Sequence, residues 1–191
     1  MSTKALRLKI RKNQVTFPVE IFRQTELSNL EIISEGIEEI PSAISELSQL
    51  KVLTINCKNI TQLPDSLLTL QNLEILKIKN CSITELPSGS PQFKKLKNLQ
   101  LNSNKLCSLP TWLGSLAELE VLDLSGNKLE ELPKNFGELR SLKRLNLDRN
   151  GLVRLPPGFE KLAALNHLSL DGNSLDDEQK QWLFDHFKIW F

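Results

Sequence analysis

Leucine and isoleucine recur along the chain with a period of 23 residues. Each copy opens with a leucine, carries a second apolar residue two positions later and a third five positions after that. The opening leucines are Leu30, Leu53, Leu76, Leu99, Leu122, Leu145 and Leu168. An earlier copy, which starts at Leu8, is one residue short. A fixed period of this kind is typical of a solenoid, in which each unit buries its apolar face only against its neighbours.

Within one unit the pattern predicts a strand, a corner and a short turn. Alternation of apolar and polar residues at the start predicts a strand with one buried face. A proline later in the unit ends the extended segment, since it has no N–H to continue the pairing. Apolar residues then recur at every third position, as at Phe136, Leu139 and Leu142, and this spacing favours a 3-10 or helical turn. We therefore expect an α/β solenoid, a right-handed arc with a parallel β-sheet on the concave face and short turns or loops on the convex face.

The segment LEVLDLSGNKLEELPKNFGEL, residues 119–139, resembles the leucine-rich repeat family. It is most similar to the short 23-residue subclass with the pattern LPxx(I/F/L)xxL. The resemblance extends over residues 6–175, in about eight repeats. That subclass occurs in bacterial leucine-rich repeat proteins and in eukaryotic scaffolds of Ras signalling. The resemblance thus implies a module for protein–protein interaction, in which the residues after the strands form a continuous ladder of hydrogen bonds.

The two ends of the repeat array depart from the pattern within one predicted domain, residues 1–191. At the first end we expect an edge strand over 5–18, protected from edge-to-edge pairing by its basic residues. These are Arg7, Lys9, Arg11 and Lys12. At the other end, acidic residues from Asp176 and the apolar spacing of Leu183, Phe187 and Trp190 predict a helix over 176–191. This helix would cap the core; the alternative is an aromatic helix that docks a partner.

A polar residue that follows each strand is suited to hydrogen-bond the backbone of the bend. The predicted ladder residues are Asn13, Cys81, Asn104, Asn127, Asn150 and Asn173. In the two units before Cys81, the same position holds Glu35 and Lys58, whose charges are costly to bury. The ladder is therefore predicted to be interrupted in the first three units from Leu30. Amide exchange should then be faster around 33–60 than around 102–150.

Side chains that flank the buried leucines are predicted to face the concave side, where repeat proteins of this kind bind ligands. They are largely polar, with basic residues in the first half of the chain and acidic residues gathering in the second. The proposed partner-binding residues are Asp123, Arg144, Asn146, Asp148, Arg149, His167, Ser169, Asp171, Lys77, Lys79 and Asn102. The alternative is that these side chains simply solvate an exposed sheet.

The sequence contains no pattern that indicates catalysis, metal binding or a cofactor. His167, Ser169 and Asp171 share one face of a predicted strand, but a catalytic triad needs histidine between the other two groups. Two histidines and three separated cysteines give no zinc-binding spacing. The cysteines Cys57 and Cys81 occupy different positions in their repeats, so they are not expected to share a site. We therefore expect a protein that is not an enzyme.

Composition adds little to this picture. The chain has 24 basic and 23 acidic residues, a balance that favours neither nucleic acid nor a membrane surface as partner. The basic first strand still leaves open a second function, the binding of nucleic acid or an anionic surface. No segment has the length of a membrane span or the apolar run of a signal peptide, and the odd number of cysteines fits a reducing compartment. We expect a cytoplasmic monomer with a protein partner, or alternatively a protein secreted without a cleaved signal.

Overall fold

The computed structural model describes residues 4–188, which build one open sheet of eight parallel strands in chain order. The opening leucines of successive units lie side by side, as Leu30 does with Leu53. The strands are β1 (Ala5–Ile10), β2 (Asn29–Ser34), β3 (Val52–Cys57), β4 (Ile75–Ile78), β5 (Asn98–Gln100), β6 (Val121–Asp123), β7 (Arg144–Asn146) and β8 (His167–Ser169). The predicted solenoid with a parallel sheet is confirmed.

The first strand lies in a different register from the predicted one. Leu6, rather than Leu8, pairs with Leu30, and Leu8 pairs with Ile32. The prediction was wrong because β1 has three inward positions, and a shift of two residues leaves the same face buried. In the observed register Ile10 closes the core and is only 6% exposed. The strand ends there, well short of the predicted range 5–18.

One continuous core lies behind the sheet. From Leu30 to Leu147, the two inward residues that open each unit are at most 3% exposed. Burial of one such side chain contributes about 1.5–3 kcal/mol, so the stacked units stabilise one another. On the convex side, most connections contain a short 3-10 helix, as predicted. These helices are Val19–Arg23, Ser42–Glu46, Asp65–Thr69, Thr111–Ser115, Phe136–Glu138 and Phe159–Lys161.

The connection between β4 and β5 differs from the other connections. Residues 79–97 contain no helix and no strand. Their sequence has Ser90 where other units have an apolar convex residue, followed by Pro91. Ser90 supplies no apolar side chain to the core and Pro91 has no backbone N–H, and both features account for the irregular connection.

The last described element is helix α1, Asp177–Phe187. Asp176 caps it by accepting a hydrogen bond from the backbone N–H of Gln179 at 2.7 Å. Leu183 is fully buried, and the ring of Phe187 packs edge-on against Phe159, with centroids 5.8 Å apart. The helix therefore covers the open end of the core, in agreement with the predicted cap. The remainder of the predicted range, with Trp190, lies outside the described residues.

Candidate functional site

Three rows of side chains cover the outward face of the sheet, and we call this surface the concave face. Neighbouring strands are ~4.8 Å apart, whereas the helical turns on the opposite side need more room, so the sheet side is the shorter one. The first row is Ala5, Asn29, Val52, Ile75, Asn98, Val121, Arg144 and His167. The second row is Arg7, Glu31, Thr54, Lys77, Gln100, Asp123, Asn146 and Ser169. The third row follows two residues after the second, and includes Lys9, Ile33, Asn56, Lys79, Asn102, Ser125, Asp148 and Asp171.

At the ends of β6 and β7, acceptor side chains on the concave face are fixed by hydrogen bonds from the residue two positions later in the same repeat. Asp123 Oδ1 accepts from the backbone N–H of Ser125 at 3.0 Å and from its hydroxyl at 2.7 Å. Asn146 Oδ1 likewise accepts from the backbone N–H of Asp148 at 2.9 Å. These bonds hold the side chains in one orientation before any partner arrives.

Asp148 continues this network across to β8. Its Oδ1 accepts from the Ser169 hydroxyl at 2.6 Å and from the backbone N–H of Asp171 at 2.8 Å. The Ser169 hydroxyl is therefore directed at a carboxylate and not at His167. This geometry argues against a serine nucleophile activated by histidine.

Three cationic or titratable side chains rim this network. Arg144, Arg149 and His167 are exposed, and within residues 4–188 none of their side chains takes part in a hydrogen bond or ion pair. Arg149 adopts a positive φ of 54° at the bend after β7. The proposed binding residues of the second half thus lie on adjacent strands and combine fixed acceptors with unpaired basic side chains.

The other three proposed binding residues lie on or just after β4 and β5, at the middle of the sheet. Lys77 and Lys79 extend from β4 and its end, and Asn102 follows β5. All three are half-buried. They form a second, basic part of the concave face, separated from the first by Gln100.

A buried ladder of asparagines supports the concave face from behind. Each Nδ2 donates to a backbone carbonyl in the preceding unit: Asn104 to Ile78 at 2.8 Å, Asn127 to Leu101 at 3.0 Å, Asn150 to Leu124 at 3.1 Å and Asn173 to Leu147 at 2.9 Å. In the last three, Oδ1 also accepts a backbone N–H, from Leu106, Leu129 and Leu152 respectively. Asn104 Oδ1 is buried and has no such partner among the described residues. Asn13 is exposed and, in the observed register of β1, does not occupy the ladder position.

In the two units before Asn104, cysteine side chains make the contacts with the neighbouring backbone that asparagine makes in the later units. The Cys81 Sγ accepts the backbone N–H of Cys57 at 3.4 Å and lies 4.0 Å from the carbonyl of Ile55. The Cys57 Sγ lies 3.8 Å from the carbonyl of Ile32. The two cysteines are therefore in contact although they occupy different positions in their repeats, and both are free thiols. The interruption expected at Lys58 is bridged because Cys57, one residue earlier, points inward.

Burial makes both of these thiols chemically inert. Burial and, secondarily, the neighbouring Cys81 together raise the pKa of Cys57 to about 12. Burial likewise raises the pKa of Cys81 to about 11. Because the thiolate is the reactive form of cysteine, both groups stay protonated at neutral pH and serve as packing.

An ion-pair cluster at the base of α1 was not found from the sequence. Arg154 binds the carboxylates of Asp176 and Glu178, each at 2.7 Å. The hydrogen bond from Gln179 and, secondarily, the Arg154 guanidinium lower the pKa of Asp176. No local sequence pattern indicates this cluster, since Arg154 is 22 residues from its nearest partner. This cluster joins the last repeat to the cap and lies away from the concave face.

Residues 4–188 contain neither a metal-binding cluster nor a membrane-spanning helix. No group of three or more histidine, cysteine, aspartate or glutamate side chains is arranged to hold a metal ion. In the same part of the chain, no helix combines the length and apolar character that crossing a membrane requires.

The second half of the chain, residues 91–183, matches a family model described as a leucine-rich repeat region. With the eight stacked strands and their repeated ladder, that match decides the family. The chain is a leucine-rich repeat protein. None of the curated proteins compared with this leucine-rich repeat protein matches its sequence.

Several solved structures are similar to this leucine-rich repeat protein. A leucine-rich repeat protein from Leptospira interrogans is 30% identical, with a TM-score of 0.69, over 89% of this chain and 49% of the other. An internalin from Listeria monocytogenes has a TM-score of 0.71 over the same shares at 23% identity, which supports the fold alone. A chain of the Toll–Spätzle complex of Drosophila is 26% identical, with a TM-score of 0.73, over 90% of this chain and 24% of the other. This leucine-rich repeat protein spans about half the length of the first two.

Proposed function

We propose that this chain is a non-catalytic recognition module that binds a partner protein on its concave face. The observation that carries the proposal is the network around Asp148, which fixes Ser169 and the backbone of Asp171 before binding. Fixed acceptors lower the entropy that a partner must lose to form hydrogen bonds. Beside them, Arg144 and His167 are exposed and have no intramolecular partner within residues 4–188. Rows of side chains ~4.8 Å apart suit a protein surface.

The comparisons support an interaction module in general terms. Leucine-rich repeat proteins are typically non-catalytic binders, and one similar structure is a chain of the Toll–Spätzle complex. For this chain we further propose a monomer in the cytoplasm, since Cys107 is an exposed free thiol and such thiols persist in reducing compartments.

The second candidate, a nucleic-acid or anionic-surface binder, has less support. It depends on the basic strand β1, yet Arg7 is already paired with Glu31 at 2.9 Å. Lys9, Arg11 and Lys12 remain, without the interleaved aromatic side chains that stack on bases.

The proposal is tested by chemical crosslinking in the native cell, identification of the captured protein, and measurement of its affinity for variants. We expect Arg144→Ala and Asp148→Ala each to weaken binding by about tenfold, because each removes a charged contact or its support. Lys134→Ala is the matched control, since Lys134 is exposed on the convex side. Unchanged affinity of the captured protein for both concave-face variants would overturn the proposal.

A further inference from the structure

The centre of the concave face carries two lysines that have no carboxylate partner among the described residues. Lys77 and Lys79 belong to β4 and its end, in the middle of the eight-stranded sheet. Their side chains are two positions apart on one strand, so they emerge on the same face, ~6.6 Å apart at their backbones. Both are half-buried, which makes an unpaired charge less favourable than it is in open water.

The carboxylates near these lysines are held elsewhere. Glu31 is bound to Arg7 at 2.9 Å, and Glu74, on the connection that enters β4, is bound to Lys51 at 3.2 Å. Asp123, two strands away, is bound to Ser125. The positive charge at the centre of the sheet is therefore left for a group from outside.

Neutral polar side chains surround the lysine pair. Thr54 and Gln100 flank Lys77 in register on β3 and β5. Asn56 and Asn102 occupy the next row, beside Lys79. Hydroxyl and carboxamide groups can donate hydrogen bonds to an anion without adding charge of their own, so these neighbours are compatible with an anion at the lysine pair.

Apolar side chains beside the lysine pair favour a ligand that has apolar groups as well as negative charge. Val52 and Ile75, in the first row next to Thr54 and Lys77, are half-buried on the same face. A free inorganic anion would leave these side chains uncovered. An acidic segment of a protein brings apolar side chains beside its carboxylates and satisfies both parts of the patch.

We propose that the partner docks an acidic protein segment over Lys77 and Lys79, with aspartate or glutamate side chains at alternate positions of an extended chain. This inference rests on the proposed function and names the chemistry of the partner. Alternate residues of an extended segment repeat at ~6.6 Å, which matches the spacing of the two lysines. Pairing of charged groups on a partly desolvated surface gives specificity as well as affinity.

The probe is an acetylated peptide of alternating glutamate and serine, titrated into the ¹⁵N-labelled chain at low salt, with a glutamine–serine peptide for comparison. We expect the glutamate peptide alone to shift the amide signals of Thr54, Lys77, Lys79 and Gln100. The double variant Lys77→Glu with Lys79→Glu should lose at least about tenfold in affinity, and Lys77→Gln with Lys79→Gln should also weaken binding. The matched control, Lys128→Glu with Lys134→Glu, makes the same change in charge at exposed lysines outside the concave face and should change affinity less than about twofold.

Several results would overturn the inference. Shifts confined to β1, or affinity unchanged in both Lys77/Lys79 double variants, would place the anion elsewhere. Binding of single-stranded RNA or phosphatidylserine vesicles that depends on these lysines, without peptide binding, would assign the patch to another class of ligand. With the captured partner, loss of affinity in Arg144→Ala and Asp148→Ala but not in the lysine variants would refute this inference alone. If none of these variants weakens partner binding, the proposed function fails as well.

Discussion

The backbone dihedral of one residue decides which side chain enters the ladder in each repeat. Asn80 has a φ of 53°, and this left-handed bend turns the next residue, Cys81, inward. Ser103, Gly126, Arg149 and Gly172 adopt the same bend before Asn104, Asn127, Asn150 and Asn173. In β3 the chain stays extended as far as Cys57, so Cys57 itself points inward. The inward residue therefore moves by one position between the two kinds of unit.

This difference was only partly predictable from residue types. Glycine and asparagine favour a left-handed conformation, so Gly126, Gly172 and Asn80 signal the bend. Ser103 and Arg149 do not, because their residue types rarely adopt a positive φ. Conversely, the alternation Leu53–Ile55–Cys57 is the pattern of a strand whose third inward residue is Cys57. Aligning the repeats on the ladder asparagine places Lys58, and not Cys57, at the inward position.

Replacing each buried cysteine by asparagine should change the free energy of unfolding differently in the two kinds of repeat. Cys81→Asn is expected to leave the free energy of unfolding within about 1 kcal/mol of the wild type or to raise it, because its carboxamide can extend the ladder. Cys57→Asn should lower it by about 2–4 kcal/mol, since a larger polar group enters a fully buried strand position. Urea denaturation followed by circular dichroism gives both values. Equal losses in the two variants would contradict this account.

At the scale of elements, α1 is held by local sequence and by a distant contact. Its N-cap and its apolar spacing could be predicted, because both lie within the helix sequence. The contact with Arg154 could not, since it depends on how the last connection folds back beneath the helix. The cap is thus stabilised both by interactions within the helix sequence and by the ion pairs of Arg154 in the preceding loop.

Acidification should loosen α1 through Asp176. The pKa of Asp176 is lowered in the folded state by the Gln179 hydrogen bond and by Arg154. Its ionised form therefore contributes stability above the unfolded-state pKa of about 3.9, and this contribution is lost as the pH falls through the lower, folded-state pKa. Asp176→Asn keeps a capping acceptor but no charge, so its unfolding free energy should fall less steeply below about pH 4.

The measurement is urea denaturation at a series of pH values, followed by circular dichroism. Asp185→Asn is the control, since Asp185 is an exposed carboxylate of the same helix. It should follow the wild-type pH profile. If Asp176→Asn follows that profile too, the cap is not the titrating element.

At the scale of the whole molecule, the 23-residue period was enough to predict the solenoid and its parallel sheet. The outward side chains are not bound by that period, because the fold needs only the inward ones. Hence the sequence pattern predicted that polar residues lie on the concave face, but it did not predict the hydrogen bonds that they make. The hydrogen bond between Asp148 and Ser169, and the lack of a carboxylate beside Lys77 among the described residues, depend on which residues lie next to each other on neighbouring strands. They can be seen only in the three-dimensional structure.

The structure also moves the expected weak point of the array. Cys57 and Ser34 fill the inward positions of the units that were predicted to be interrupted. The junction of β4 and β5 instead combines an irregular connection, 79–97, with the unpaired Asn104 Oδ1. Each buried polar atom without a partner costs about 1–3 kcal/mol.

Amide hydrogen exchange should therefore be fastest, among internal repeats, over residues 79–97. Residues 33–60 should exchange at rates closer to those of residues 102–150, because their buried positions are filled. Exchange followed by mass spectrometry on peptides from the three ranges makes the comparison. Faster exchange over 33–60 than over 79–97 would contradict this prediction, and clearly faster exchange over 33–60 than over 102–150 would support the original expectation from the sequence.

The same junction has a mechanical consequence. In a solenoid, tension applied at the two ends passes through every interface between repeats in series, so the array yields at its weakest interface. Between β4 and β5, no convex 3-10 helix adds to the sheet contact, and one ladder acceptor is unused. Under tension the sheet would separate first between β4 and β5, which leaves two shorter repeat arrays, β1–β4 and β5–β8. Lys77 and Lys79 lie on one side of that break and the Asp148 network on the other, so a partner bound to both would act as a brace against stretching.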